Sequence, residues 1–206
     1  GIRPLIDLAH SNGMKFGIWI EPEMVNNPSE LYEKHPDWVL RHPDFEPTYG
    51  RGKTQLILDL TNPKVQDHVF KVVDDLLTAY PDIYYIKWDN NMSMHNPHSQ
   101  YLPNELQSNL YVDYTLALEK VLKRIRAKYP DVVIQLCASG GGRLNYGFMP
   151  YFQEMWTSDQ TDAYHRIHIQ WGALNFFPSN MLSAHVGSAY SKYTQRLVRI
   201  KFRFAV

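Results

Sequence analysis

The feature that most constrains the fold is a unit that occurs twice. One helical stripe leads through Tyr80-Pro81-Asp82 into the apolar run Ile83-Tyr84-Tyr85-Ile86-Lys87-Trp88. A second leads through Tyr129-Pro130-Asp131 into Val132-Val133-Ile134-Gln135-Leu136-Cys137. The first stripe, opened by Asn62-Pro63, carries Val65, Val69, Val72, Val73, Leu76 and Leu77. The second carries Leu110, Tyr114, Ala117, Val121 and Ile125. Apolar residues three and four apart predict amphipathic helices, and short runs of β-branched and aromatic residues predict buried strands. Helices and strands in alternation call for parallel strands joined by crossovers, so the chain reads as α/β.

The rest of the chain extends that rhythm. Ile2, Leu5, Ile6 and Ala9 give helical spacing closed by Asn12-Gly13, ahead of a strand at Met14–Ile20 stopped by Glu21-Pro22-Glu23. Residues 26–52 form a polar, proline-rich loop with a helical turn at 29–35; a loop of that length in a compact domain is usually functional. Further strands are expected at 54–58, at the run ending in Asp159 and near 181–184, with a helix over 162–173. We read six strands, two short of a closed eight-stranded barrel. The chain starts inside a helix and ends in the basic stretch 191–206. We therefore expect an incomplete barrel with its first and last strands missing or partial, the whole of 1–206 belonging to one catalytic domain.

Composition removes some partners. Lys plus Arg and Asp plus Glu both count 21, so no basic surface points to nucleic acid or an anionic membrane. No apolar run is long enough to span a bilayer. The single cysteine excludes an internal disulfide and fits a reducing compartment, hence a cytoplasmic protein. The nine His do not cluster as metal ligands, and no cofactor motif is present, so none is expected. His165 and His168, beside Tyr164 and Arg166, are read as a solvated helix face.

Chemistry concentrates at strand ends. Side chains alternate along a strand, so Lys87 and Asp89 share a face while Ile86 and Trp88 take the other. This is either a structural ion pair or a catalytic carboxylate. In an α/β barrel the carboxyl ends of the strands hold the catalytic groups, and Asp159 also follows a strand. Two carboxylates across a cleft suit glycosidic cleavage, one as nucleophile and the other as acid and then base. Lys87 would keep Asp89 ionised, whereas Asp159 has no cation beside it in sequence and is freer to hold a proton. Ser139-Gly140-Gly141-Gly142 lacks the ending of a phosphate loop, and glycines at a rim serve better to admit a ligand close to the backbone. Cys137 reads as a buried strand-end residue. Glu21 and Glu23 could form a second acid pair or hold the long loop by hydrogen bonds. Trp19 and Trp156 are sugar-stacking walls or core plugs, and strict alternation back from Asp159 would turn Trp156 away from the rim.

Four stretches taken together, Phe16 to Met24, Lys87-Trp88-Asp89-Asn90-Asn91, Cys137 to Arg143 and Trp156 to Asp162, resemble the α-galactosidases of glycoside hydrolase family 36. The resemblance runs along nearly the whole chain. It implies a (β/α)8 TIM-type barrel and a retaining, double-displacement hydrolase releasing terminal galactose from α-galactoside oligosaccharides such as melibiose and raffinose. By motif position Asp89 matches the nucleophile and Asp159 the acid/base. Trp19, Lys87, Cys137, Gly140 and Trp156 match galactose-contacting positions, and Asn91 is placed with them. The family's Asp-Asp pair on the first barrel strand and its flanking β domains are absent here. Where the family usually has Arg before Gln-Leu this chain has Lys53, so Lys53 replaces it or Arg51 reaches in; a Lys lacks the bidentate grip. Two rivals stand beside this reading: a galactosyl-transferring relative, and a non-catalytic sugar-binding barrel. A homo-oligomer is compatible with the full-length enzyme.

Overall fold

The computed structural model describes residues 1–184, and the chain divides into two units, the first Gly1–Val132 and the second beginning at Val133. In the first unit α1 (Arg3–Ser11) carries Pro4 in its first turn, where the backbone needs no N–H donor. Strand β1 (Phe16–Ile20) follows, then β2 (Met24–Asn26), α2 (Glu30–Lys34), β3 (Gln55–Ile57), α3 (Pro63–Ala79), β4 (Ile83–Trp88) and α4 (Leu110–Lys128). The side chains of Ser29 and Asn62 cap α2 and α3, accepting from the N–H of Tyr32 at 3.3 Å and of Lys64 at 3.0 Å.

The two Tyr-Pro-Asp segments end their helices alike. Tyr80 has φ −136° and ψ 72°, Tyr129 has φ −128° and ψ 64°, and each N–H closes on the carbonyl four residues back. A residue before proline is pushed out of the helical region, so the proline sets the stop. The repeats are also tied to each other. Arg124 pairs with Asp67 at 2.7 Å, while Asp74 of α3 takes both the Lys128 ammonium and, at 2.6 Å, the Tyr129 hydroxyl.

Strands β1 and β4 are parallel, with Ile18 opposite Ile86, Trp19 opposite Lys87 and Ile20 opposite Trp88. The core of this unit takes Val65, Val69, Val73 and Leu77 from α3 and the five predicted α4 residues, all buried. Val72 was expected in the α3 stripe but is 37% exposed. The buried residues repeat strictly every four positions, and Val72 lies off that line. A second expectation fails at 54–58. The strand forms, as Gln55–Ile57, but it pairs antiparallel with Met24–Asn26, Val25 opposite Leu56. The three-residue strand β2 follows a proline and holds too few residues to show alternation, which is why the sequence reading passed over it.

Among its described residues the second unit has three parallel strands, β5 (Val133–Leu136), β6 (Glu154–Trp156) and β7 (Leu182–Ser183), with Leu136 opposite Met155 and Trp156 opposite Ser183. Helix α5 (Ala163–Leu174) starts at Asp162, whose side chain accepts the Tyr164 N–H at 3.0 Å. Strand β6 stops at Trp156, three residues before the end expected at Asp159. The basic stretch 191–206 lies outside the described residues. Among the described residues no helix is long and apolar enough to cross a membrane, and no group of three or more His, Cys, Asp or Glu is arranged to hold a metal ion.

Candidate active site

Asp89 is the first residue past β4, and its N–H continues the ladder by donating to the Ile20 carbonyl at 2.9 Å. The backbone of the carboxylate is thereby fixed in the sheet. Its side chain is 4% exposed and accepts three N–H donors. The indole of Trp19 reaches Oδ2 at 2.9 Å and the Asn91 amide reaches the same oxygen at 2.7 Å, while the Asn90 backbone N–H reaches Oδ1 at 2.9 Å. Both oxygens therefore serve as acceptors, which is the pattern of a carboxylate carrying no proton.

Trp19 is 46% exposed, so it is no core plug, and its indole edge holds Asp89. Asn91 also donates to Glu21, through its backbone N–H at 3.2 Å and its side-chain amide at 2.7 Å. Lys87 is half-buried on β4, facing Trp19 across the ladder. Lys53 stands exposed in the turn before β3 at φ 57°.

In the second unit the corresponding carboxylate is held differently. Asp159 is exposed, on the loop between β6 and α5, and accepts the indole N–H of Trp156 at 2.9 Å. Since β6 ends at Trp156, alternation does not govern the two residues between, and Trp156 and Asp159 meet. Cys137 is buried at the end of β5, as expected. Gly140 has φ 85°, and a Cβ built there would stand 2.8 Å from the Ser158 Cα and 2.9 Å from the Asp159 backbone nitrogen. The glycine loop is thus pressed against the backbone that carries Asp159.

One residue there was misread from sequence. Arg166 was taken as part of a solvated face, yet it is 2% exposed. Its guanidinium lies 4.6 Å from the centre of the Trp156 ring and donates to the Thr157 hydroxyl at 2.6 Å. Burial pushes its pKa down, and the Asp159 carboxylate pulls it back up. The signal that could have found it is the helix period: Arg166 falls between Asp162, which caps α5, and Gln170, which accepts from Thr157 at 2.7 Å. Glu21 and Glu23, read as either acid pair or loop anchors, are hydrogen-bond acceptors turned toward the end of β4.

The melibiase family model matches residues 1–206. A protein described as a probable α-galactosidase C from Aspergillus terreus is 41% identical over 94% of this chain and 24% of its own length. The crystal structure of the α-galactosidase from Lactobacillus brevis superposes with a TM-score of 0.92 at 37% identity, covering all of this chain and 28% of that one. A variant of the family 36 α-galactosidase AgaA from Geobacillus stearothermophilus, solved in complex with raffinose, gives a TM-score of 0.90 at 35% identity over 98% of this chain and 28% of that one. The chain spans about a quarter of the length of the relatives it matches. The fold is that of part of a (β/α)8 barrel. With the family model matching from the first residue to the last, this chain belongs to the melibiase family.

Proposed function

We propose that the protein carrying this chain is a retaining α-galactosidase that releases terminal galactose from α-galactoside oligosaccharides, raffinose among them. Asp89 is the nucleophile and Asp159 the acid/base. The observation that carries the reading is the contrast between the two carboxylates. Asp89 is buried, with its backbone in the β-ladder and three N–H donors on its oxygens. A nucleophile needs that: a fixed position, no proton and little freedom to lose on attack. Asp159 is exposed and takes one indole donor, so it can exchange a proton with water between the two half-reactions.

In the first step Asp89 attacks the anomeric carbon as Asp159 protonates the departing oxygen. In the second, Asp159 takes a proton from water, which displaces Asp89. The exposed face of Trp19 suits stacking on a sugar ring, and Lys87, Asn91, Cys137, Gly140 and Trp156 complete the galactose site. Lys53 is the weakest member of that set, because its side chain points into solvent ahead of β3. AgaA has also been solved with stachyose and with 1-deoxygalactonojirimycin, which supports oligosaccharides ending in galactose as the substrate class. The single cysteine fits a reducing compartment and is the reason to place the enzyme in the cytoplasm. Hydrolysis of raffinose by the whole protein, lost in both Asp89→Ala and Asp159→Ala, tests the assignment. Raffinose turnover undiminished in either variant overturns it.

A further inference from the structure

Two carboxylates that the proposed chemistry leaves unused face the strand end that carries Asp89. Glu21 and Glu23 follow β1 on either side of Pro22, whose ring removes one rotation between them. Glu21 Oε1 accepts from the Asn91 backbone N–H at 3.2 Å and its side-chain amide at 2.7 Å, and Oε2 accepts from Gln55 at 2.9 Å. Glu23 is wholly buried. Its Oε1 accepts the Trp88 indole at 2.8 Å, and its Oε2 accepts the Tyr114 hydroxyl at 2.7 Å and the Asn90 amide at 3.3 Å.

Residues along an extended strand alternate sides. Glu23 thus holds Trp88 and Asn90, the two neighbours of Asp89 on one side, and Glu21 holds Asn91 on the other. Glu21 also decides which way the Asn91 amide faces. That amide donates to Glu21 and to Asp89 Oδ2 at 2.7 Å each. Turned over, its carbonyl oxygen would meet two carboxylates at once. A buried charge is costly unless donors surround it, and the donors around Glu23 include both residues flanking Asp89.

We propose that Glu21 and Glu23 are positioning residues, a clamp on both sides of the end of β4 that fixes Asp89 for attack. The inference rests on the reading of Asp89 as nucleophile. A shift of a reacting group by about 1 Å costs on the order of 100-fold in rate, and that is the effect expected when one arm of the clamp is neutralised.

The test is Glu21→Gln and Glu23→Gln in the whole protein, with Asp89→Ala alongside, assayed on p-nitrophenyl α-galactoside. Functional sites are counted by calorimetric titration with 1-deoxygalactonojirimycin, so kcat is expressed per binding site and misfolded material drops out. The expected result is a kcat per site lowered on the order of 100-fold in both glutamine variants, with KM close to that of the unaltered enzyme. Unchanged kcat per site in either variant, with only the melting temperature lowered, shows a purely structural role and overturns the clamp. Should Glu23→Gln give no binding sites, the half-buried Glu21→Gln decides alone. Activity surviving in Asp89→Ala would instead sink the nucleophile reading, so the two failures look different.

Discussion

The indole N–H of Trp19 donates to the Asp89 carboxylate at 2.9 Å, and the same relationship recurs in the other unit, where Trp156 donates to Asp159 at 2.9 Å. Each of the two carboxylates is thus paired with a tryptophan edge, but the two pairs sit in unlike surroundings. Trp19 is 46% exposed, whereas Trp156 rests on the buried Arg166 guanidinium.

Trp19→Phe keeps an aromatic face and removes the donor. Hydrogen bonds to charged groups contribute about 1.5–3 kcal/mol. Because Trp19 is 46% exposed, water can fill part of the vacancy, and the lower end applies. The expected loss in kcat/KM is roughly tenfold, since about 1.4 kcal/mol corresponds to a factor of ten. An unchanged kcat/KM with a shifted melting temperature would show the indole N–H to be a packing feature only.

Gly140→Ala tests the contact between the glycine loop and the Asp159 loop. The new Cβ would fall 2.8 Å from the Ser158 Cα, against backbone that cannot turn aside as a side chain can. The residue would also be held at φ 85°, where an L side chain is strained by about 1–3 kcal/mol. Both effects push the loop off the backbone carrying Asp159. We expect a lower melting temperature together with reduced kcat, and a variant matching the parent in both would mean the two loops can part freely.

Asp74 offers a pH test on the surface of the helix pair. The Lys128 ammonium, then the Tyr129 hydroxyl, hold its carboxyl below the ordinary 3.8. A depressed carboxyl stabilises the fold above its unfolded pKa and loses that contribution as pH falls through the folded value. The difference in melting temperature between the parent and Asp74→Asn should therefore be present at neutral pH and fade below 3.8. Lys128 is raised from 10.5 by the same contact, so the difference should also fade as pH climbs above that value. The site is solvent-exposed, and salt should shrink the effect. A difference that stays constant across the whole range would assign the loss to packing.

Much of this was legible in the residues because the signals were local. The stripe of α4 and the Tyr-Pro-Asp stops rest on period and on proline geometry, which act within a few positions. The burial of Asp89 among donors was legible because a carboxylate at the end of an apolar strand is costly to bury without them. What escaped depended on partners distant in sequence. Nothing near Gln55 signals an antiparallel partner at Asn26, and the helix period that aligns Arg166 with Asp162 and Gln170 does not name Trp156 as the ring it meets. Glu21 and Glu23 were weighed as a pair, but their partners lie 34 to 91 positions along the chain. Strict alternation misplaced Trp156 because the strand stops before the residue used to count back.

The roles of the two carboxylates can be told apart by the products their variants allow. In Asp89→Ala the nucleophile's face of the sugar is vacated, and an added azide ion should attack there, giving the β-galactosyl azide and restoring turnover. In Asp159→Ala the first step needs no proton when the leaving group is good, so aryl α-galactosides should still form the galactosyl-enzyme. Azide should then displace Asp89 from the opposite face and give the α-galactosyl azide. The two anomers are distinguished by the coupling constant of the anomeric proton. A crystal structure of the whole enzyme should place the two carboxyl groups about 5–5.5 Å apart, the retaining distance, rather than roughly 6.5–9.5 Å. Anomers formed the other way round would exchange the two roles. A separation in the wider range, with no azide adduct from either variant, would mean water is activated directly and the reaction inverts.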